Sequence, residues 1–553
     1  MTRQVKSWKK KSNLVQSKHS YLIFLAGFIV FIIGLRPEFI GFDCRFVVFA
    51  KEMLRNGPTF FPTTYGQPYP DYPGTSTFLI YLVSLPFGKV TPFTARLPIA
   101  VVSAFILVVI YWIGALHSRK WGLFAVLFAL FTMEFFNLSR SISQDQYTSL
   151  ATVLCFYLAY SADIYKRHKR VWLIPLLFTC SFTFRGPIGL VIPAGVICVY
   201  YLYNRDFKKF ALMASVSAFL FVLCSFILLA AAKNQAGEAF VKKVTETQVT
   251  SRIFDNAKHW IGYYFTESFA RYAISYPFAV IVIVVLYKKI FGRENAEYKL
   301  LGLLVVWIFV VLIGMSIPGT KKIRYVLPMI PAVTLVASYM FVYRSHEKNI
   351  LSGVKKIFLQ CCSWFPLGTA IVILAAMVVS KRFESLSGAN YLTAIILTAM
   401  LALISWLLNT RFKDSDKWDL AFMAIGTVTF IVIVIGISEP INYYHSKTKP
   451  FVAKLEALQS RQVREVVFYK INADSEAIKF MANLDKPFKP CFIYDAKDII
   501  NYSIPVYFIA IRDDFNTLPN DILPYIRRLD SGKIGRDDCV VFVCESSKLC
   551  NRQ

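Results

Sequence analysis

The chain has 553 residues, of which 56% are hydrophobic, 16% aromatic and 17% charged, against roughly 25% charged in soluble domains. So few polar groups cannot cover a water-facing surface, which makes lipid part of the solvent. The net charge of +28 comes from 62 Lys and Arg against 34 Asp and Glu, but the cations sit in short clusters between apolar runs, the pattern of cytoplasmic loops and headgroup contacts and not of a nucleic-acid surface.

Residues 1–20 are polar and basic, with Lys6, Lys9, Lys10, Lys11 and Lys18. The apolar run from Tyr21 to Leu35 lacks a small-residue cleavage site and reads as an uncleaved first span with a cytoplasmic N-terminus. Further runs lie near 93–115, 121–138, 146–162, 171–185, 187–203, 210–232, 268–288, 299–317, 325–343, 357–379, 391–408 and 419–438. The run 74–88 is short, and with Pro86, Gly88 and Pro92 around it it reads as surface structure. The expectation is a polytopic α-helical membrane domain over 1–439 with about 13 spans. Basic clusters at Arg119-Lys120, Lys166 to Arg170, Arg205 to Lys209, Lys288 to Arg293, Arg344 to Lys356 and Arg411 to Lys413 fall on alternate loops, which the positive-inside rule makes cytoplasmic. An odd span count then places the C-terminus outside.

Three segments fall on the outer side: about 36–92, about 233–267, and 440–553. In the last, β-like runs (Val466 to Phe468, Phe492 to Tyr494, Val506 to Ile509, Val540 to Val543) alternate with helix-like stretches at 474–484 and 519–529, the pattern of a small soluble α/β domain. The 11 cysteines show no CxxC and no metal-type pairing; Cys155, Cys180, Cys198 and Cys224 lie in apolar runs and read as small hydrophobes. Cys539 and Cys544 lie on one expected strand, five apart, and so point to opposite faces; Cys491 or Cys550 is the better partner for either.

In the first outer segment, apolar residues at 46, 49, 50, 53 and 54 have helical spacing and predict a helix in the membrane surface, with Asp43 near its start. Taken alone, Asp43 reads as a helix N-cap. It has company, however. Asp145 lies in the outer turn 139–146, Arg185 ends a span in Phe184-Arg185-Gly186-Pro187, and Lys321, Lys322 and Arg324 occupy another outer turn. Cations on that side either snorkel to headgroups or bind a lipid phosphate.

The stretch from Asp43-Cys44-Arg45-Phe46 to Arg96-Leu97-Pro98, with Lys51-Glu52-Met53-Leu54, Gly66-Gln67-Pro68-Tyr69 and Tyr72-Pro73 between, resembles the first periplasmic loop of GT-C membrane glycosyltransferases. The likeness is to lipid A aminoarabinose transferases and bacterial relatives of protein O-mannosyltransferases. Phe184 to Pro187 and Lys322 to Pro328 resemble the family's Lys-Gly-Pro and Lys-x-x-Tyr-x-Leu-Pro. Cys44 stands where the family has Glu, Asp71-Tyr72-Pro73 replaces Lys-Pro-Pro, and Arg185 replaces Lys. Where the aminoarabinose subgroup has a Glu-His followed by Arg-Phe, this chain has Thr247-Gln248 and Arg252-Ile253, and the nearest substitute His is His259.

The resemblance implies a multi-pass enzyme of the bacterial inner membrane with a periplasmic C-terminal domain. It would move a sugar, such as an amino sugar, from a polyprenyl-phosphate donor to an envelope lipid, glycan or protein acceptor such as lipid A. Asp43 and Asp145 are the implied catalytic residues, and Arg45, Arg185, Lys321, Lys322 and Arg324 the implied donor-phosphate ligands. No cofactor is required by this reading, and a divalent metal is allowed by it. A protein or glycan O-glycosyltransferase of the same fold is the near alternative. A transporter is the distant one, since its ionisable residues concentrate at mid-membrane depth and here they gather at the outer edge.

Overall fold

The computed structural model describes residues 18–71, 73–250, 260–293, 295–343, 349–411, 418–458, 465–485, 488–502 and 506–544. Each apolar run named above coincides with helix among them. Among the described residues eight helices are long and apolar enough to cross a membrane, from Pro92–Ala115 to Asp419–Ser446, and the bent pair Arg119–Leu130 with Met133–Ser139 makes a ninth. Lys18–Ile32 and Pro187–Tyr203 are apolar but shorter. The helix Asp145–Tyr165 is long enough, but it buries Asp145, Gln146, Thr148, Ser149 and Thr152 along its first turns, so its polar face is turned to protein. Apolar side chains are exposed on Phe207–Thr245, as at Phe219, Val222 and Phe226, and on the later helices, as at Leu392, Ile396, Met400 and Trp406.

The bundle has two distinct ends. At one, Arg293 donates to the Tyr203 carbonyl at 2.8 Å, Lys209 lies 4.0 Å from Asp163, and Lys355 pairs with Asp419 at 2.6 Å. Lys289 donates to the Tyr343 hydroxyl at 3.2 Å and joins these sets, so the basic loops they belong to share this end, as their alternation predicted. The other end carries Asp43, Asp145, Arg185, Arg324 and the C-terminal sheet.

The helix over the first outer segment is Asp43–Asn56, but it does not lie on lipid. Phe46, Val47, Phe49 and Ala50 are wholly buried, in a cluster with Ile478 and Ala482 of the C-terminal region. Phe42 occupies the N-cap position without a side-chain cap bond, and Asp43 is the first helical residue. The capping expectation for Asp43 therefore fails, because both of its oxygens are engaged elsewhere. The described residues of the outer segment 233–267 are largely helix. Phe207–Thr245 runs on past the apolar stretch with a break at Ala236 and Gly237, and the amphipathic helix Tyr263–Arg271 follows.

The C-terminal region folds as a five-stranded sheet. Strands β1 (Glu465–Tyr469), β2 (Lys489–Ile493), β3 (Tyr507–Ile511), β4 (Ile526–Ile534) and β5 (Asp537–Cys544) are arranged β2-β1-β3-β5-β4. The pairs of β1 with β2 and β3 are parallel, and those of β5 with β3 and β4 antiparallel. Val466 and Phe468 pack on one face with Phe451 and Phe480, and Val467 and Tyr469 on the other with Phe508 and Phe542. Both faces are covered, which is why these strands read as continuous apolar runs.

The helix-like reading of 519–529 is corrected. Pro519 and Pro524 leave only the short turn Leu523–Tyr525, and β4 follows, its half-exposed residues held by the ladder to β5. Cys539 and Cys544 do point into different clusters. Cys491 on β2, however, is three strand spacings from β5, about 14 Å, beyond disulfide reach, so it cannot partner them. Cys550 lies outside the described residues.

Candidate functional site

Asp43 is 5% exposed. Its Oδ2 accepts from Arg96 Nε at 3.0 Å and lies 2.9 Å from the terminal guanidinium nitrogen; its Oδ1 accepts from the Ile142 backbone N–H at 2.7 Å. The carboxylate thus joins three segments: the loop helix, the helix Pro92–Ala115 and the turn before Asp145.

Asp145 is likewise 5% exposed. It accepts from Arg185 Nε at 2.9 Å and lies 3.5 Å from Arg324 Nε. Arg185 is 2% exposed, with Gly186 after it at φ +66°. That left-handed turn suits glycine and lets the chain reverse directly after the arginine. Phe42 links the two aspartates, since the Arg324 guanidinium lies 4.2 Å from its ring centroid while pairing with Asp145.

Beside this network is a cavity of about 430 Å³, lined in part by Arg36, Phe42, Asp43, Arg96, Arg140 and Arg324. Three of the four arginines are matched by carboxylates, Arg324 by Asp145 at 3.5 Å. Arg96 is held by Asp43, and Arg140 by a two-pronged pair with Glu439 at 2.6 and 2.8 Å. Glu38, also in the lining, takes the backbone N–H groups of Thr448 and Lys449 at 3.2 and 2.7 Å. Arg36 donates from a terminal nitrogen to the Ile435 carbonyl at 3.4 Å, and the buried Nε–H of Arg324 is the one that lies 3.5 Å from Asp145. The cavity therefore presents four guanidinium groups among three carboxylates, those of Glu38, Asp43 and Glu439.

The other expected residues fall around it. Lys321 is buried and Lys322 exposed in the turn before Arg324. Arg45 is turned toward the C-terminal sheet, 3.6 Å from Asp474 and 5.0 Å from the Tyr69 ring centroid, and does not line the cavity. Gln248 donates to the carbonyl of Asp71, which ties the second outer segment to the first. Tyr72, Arg252 and His259 lie outside the described residues, and among the described residues no three His, Cys, Asp or Glu side chains come together as a metal ion would need.

Sequence reasoning gave no role to Arg36, Arg96, Arg140 or Glu439. For Arg36 a signal existed: a cation at the outer end of the first span, against the positive-inside bias.

The chain matches a crystal structure of ArnT from Cupriavidus metallidurans bound to undecaprenyl phosphate with a TM-score of 0.68, over 94% of this chain and 97% of that one, at 14% identity. The fold is that of a GT-C glycosyltransferase. The apo form of the same protein matches with the same TM-score at 13% identity. Over residues 71–230 the sequence matches the model of the dolichyl-phosphate-mannose-protein mannosyltransferase family. An uncharacterized protein of Aquifex aeolicus is 28% identical over 334 residues, 59% of this chain and 74% of its own length. The GT-C fold thus extends from the bundle into the C-terminal sheet.

Proposed function

We propose that the protein is a membrane glycosyltransferase that takes a sugar from a polyprenyl-phosphate donor and moves it to an envelope acceptor on the outer side of the inner membrane. The observation that carries the reading is the cavity that Arg36 and Arg324 line beside Asp43. A sugar leaving a lipid phosphate sends an electron pair onto the phosphate oxygen. Fixed guanidinium groups in a site shielded from water stabilise that growing charge, usually the largest contribution to such a reaction. The fold shared with a protein that binds undecaprenyl phosphate supports the same donor class.

Asp43 is the acidic group placed to orient the acceptor. A hydroxyl acceptor must lose a proton as it attacks the anomeric carbon, and a positioned base contributes typically 10²–10⁴-fold. A phosphate acceptor, with a second pKa of about 6, is already ionised, and Asp43 then acts through orientation. A phosphate of an envelope lipid such as lipid A, and an amino sugar as the group moved, are the finer form of this reading. A protein hydroxyl is the second form, favoured by the match to the protein mannosyltransferase family.

The test is transfer by purified protein in nanodiscs supplied with undecaprenyl-phosphate-linked sugars. Released undecaprenyl phosphate and glycosylated acceptor are measured together. Neither release nor binding of the donor lipid would overturn the reading.

A further inference from the structure

Arg324 can face the cavity only if the backbone before it is held, and that backbone has no ladder of its own. Lys322 is extended, at φ −131° and ψ 129°, and a short 3₁₀ turn begins at Ile323. In extended backbone a residue's N–H and C=O point to the same side. Tyr264 occupies that side. Its phenolic oxygen accepts from the Lys322 N–H at 3.1 Å and donates to the Lys322 carbonyl at 3.3 Å. Tyr272 donates to the next carbonyl, that of Ile323, at 2.9 Å. Both tyrosines are wholly buried, the first on the helix Tyr263–Arg271 and the second just after it.

Two consecutive residues directly ahead of Arg324 are therefore clipped by hydroxyls from one outer helix. Burial pushes the Tyr264 phenol above its ordinary value, so the hydroxyl keeps the proton it donates. The next helix, Ser275–Gly292, is preceded by Ile274, which has φ +75° and ψ −65°, a strained backbone for a β-branched residue. Such strain persists only where surrounding contacts hold it, and the Tyr272 bond to Ile323 lies two residues away.

We propose that Tyr264 and Tyr272 are positioning residues that set donor affinity through Arg324, by fixing the backbone of Lys322 and Ile323 without touching the donor. This rests on the cavity being the donor-phosphate site.

The test measures undecaprenyl phosphate affinity in nanodiscs for wild type, Tyr264→Phe, Tyr272→Phe, Arg324→Gln and the two tyrosine–arginine double variants. Each phenylalanine variant should weaken binding roughly tenfold and should add nothing in the Arg324→Gln background. In turnover, donor KM should rise while kcat at saturating donor holds, whereas a merely structural defect lowers the active fraction and leaves KM. Tyr200→Phe is the control; it loses a half-buried bond to Asp163 at the opposite end and should lower Tm without changing affinity. Wild-type affinity in both phenylalanine variants, or losses that multiply with that of Arg324→Gln, would overturn the proposal. If Arg324→Gln alone binds like wild type, the cavity assignment falls, and the proposal with it. That result is read without any tyrosine variant, so the two failures are distinguishable.

Discussion

Asp43 shows how a single residue can be found in sequence and its role still be misjudged there. Its charge at the head of an apolar helix singled it out, but Arg96 is 53 residues away and Ile142 is 99, so no local pattern carries their contacts. An Asp at an N-cap exchanges with Asn at little cost. A buried Asp holding a guanidinium does not, because removing one partner of a buried pair costs about 3–5 kcal/mol. Asp43→Asn is therefore expected to lose stability as well as turnover, and Arg96→Gln in the same chain should restore part of the stability by removing the uncompensated charge. Thermal unfolding and transfer rate of the two single variants and the double give the answer. Recovery of both together would make Asp43 structural; recovery of stability with turnover still down at least roughly 10²-fold supports its role toward the acceptor. At the cavity, Arg36→Ala and Arg324→Ala should each weaken undecaprenyl phosphate binding by roughly tenfold or more, the loss of a charge-assisted hydrogen bond. Arg45→Ala should leave it unchanged, since Arg45 faces the sheet. Equal affinity in all three variants would remove the phosphate from this cavity.

At the scale of elements, the loop helix Asp43–Asn56 was legible from its spacing and its setting was not. Amphipathic spacing says that a face is buried and does not say against what, and the partner here is the helix Glu476–Asn483, more than 400 residues on. Two polar clips fix the contact. Asn483 exchanges bonds with the Phe39 backbone at 2.9 and 2.8 Å, and Lys51 donates to the carbonyls of Ala482 and Leu484 at 2.6 and 2.7 Å. Strand β4 escaped detection for a related reason: residues such as Arg527 and Arg528 have no apolar alternation, and pairing with β5 alone makes them a strand. Burial lowers the Lys51 pKa from 10.5 to about 8, opposed by Asp485 and Glu456 and aided by Arg55 and Lys449. The sign follows from linkage. The folded state binds this proton less tightly than the unfolded chain, so between about pH 8 and 10.5 the unfolded chain holds more protons and stability rises with pH. Below pH 8 the full cost of burying the charge is present. The neutral amine keeps two N–H groups for the two carbonyls. Lys51→Gln should lack this rise, so the wild-type minus variant difference in Tm should grow from pH 8 to 10. A constant difference would mean that Lys51 stays charged throughout.

For the whole molecule, the question is which end of the bundle faces the cytoplasm. The contacts of Arg293 with Tyr203, Lys209 with Asp163 and Lys355 with Asp419 gather the described basic loops at one end. The arginine-lined cavity and the sheet occupy the other. The gathering of the basic loops at one end was legible because charge asymmetry is a property of composition, loop by loop, and needs no tertiary partner. By the positive-inside rule the basic end is expected in the cytoplasm, and the sheet and the cavity are then expected outside. Several cations at the cavity end run against that bias, among them Arg36, Arg96, Arg140 and Arg324. Three of these hold carboxylates, two in short pairs and Arg324 at 3.5 Å, and so offer little free charge to an anionic leaflet. A reporter active only outside the cytoplasm should be active when fused after Gln553 and inactive when inserted between Lys166 and Arg170. A reporter active only in the cytoplasm should give the reverse. The opposite pattern at both sites would invert the protein, place the donor cavity on the cytoplasmic side and remove the envelope acceptors from reach. Activity of the outside reporter at both sites would mean that the two ends are not separated by the membrane, contrary to the span arrangement itself.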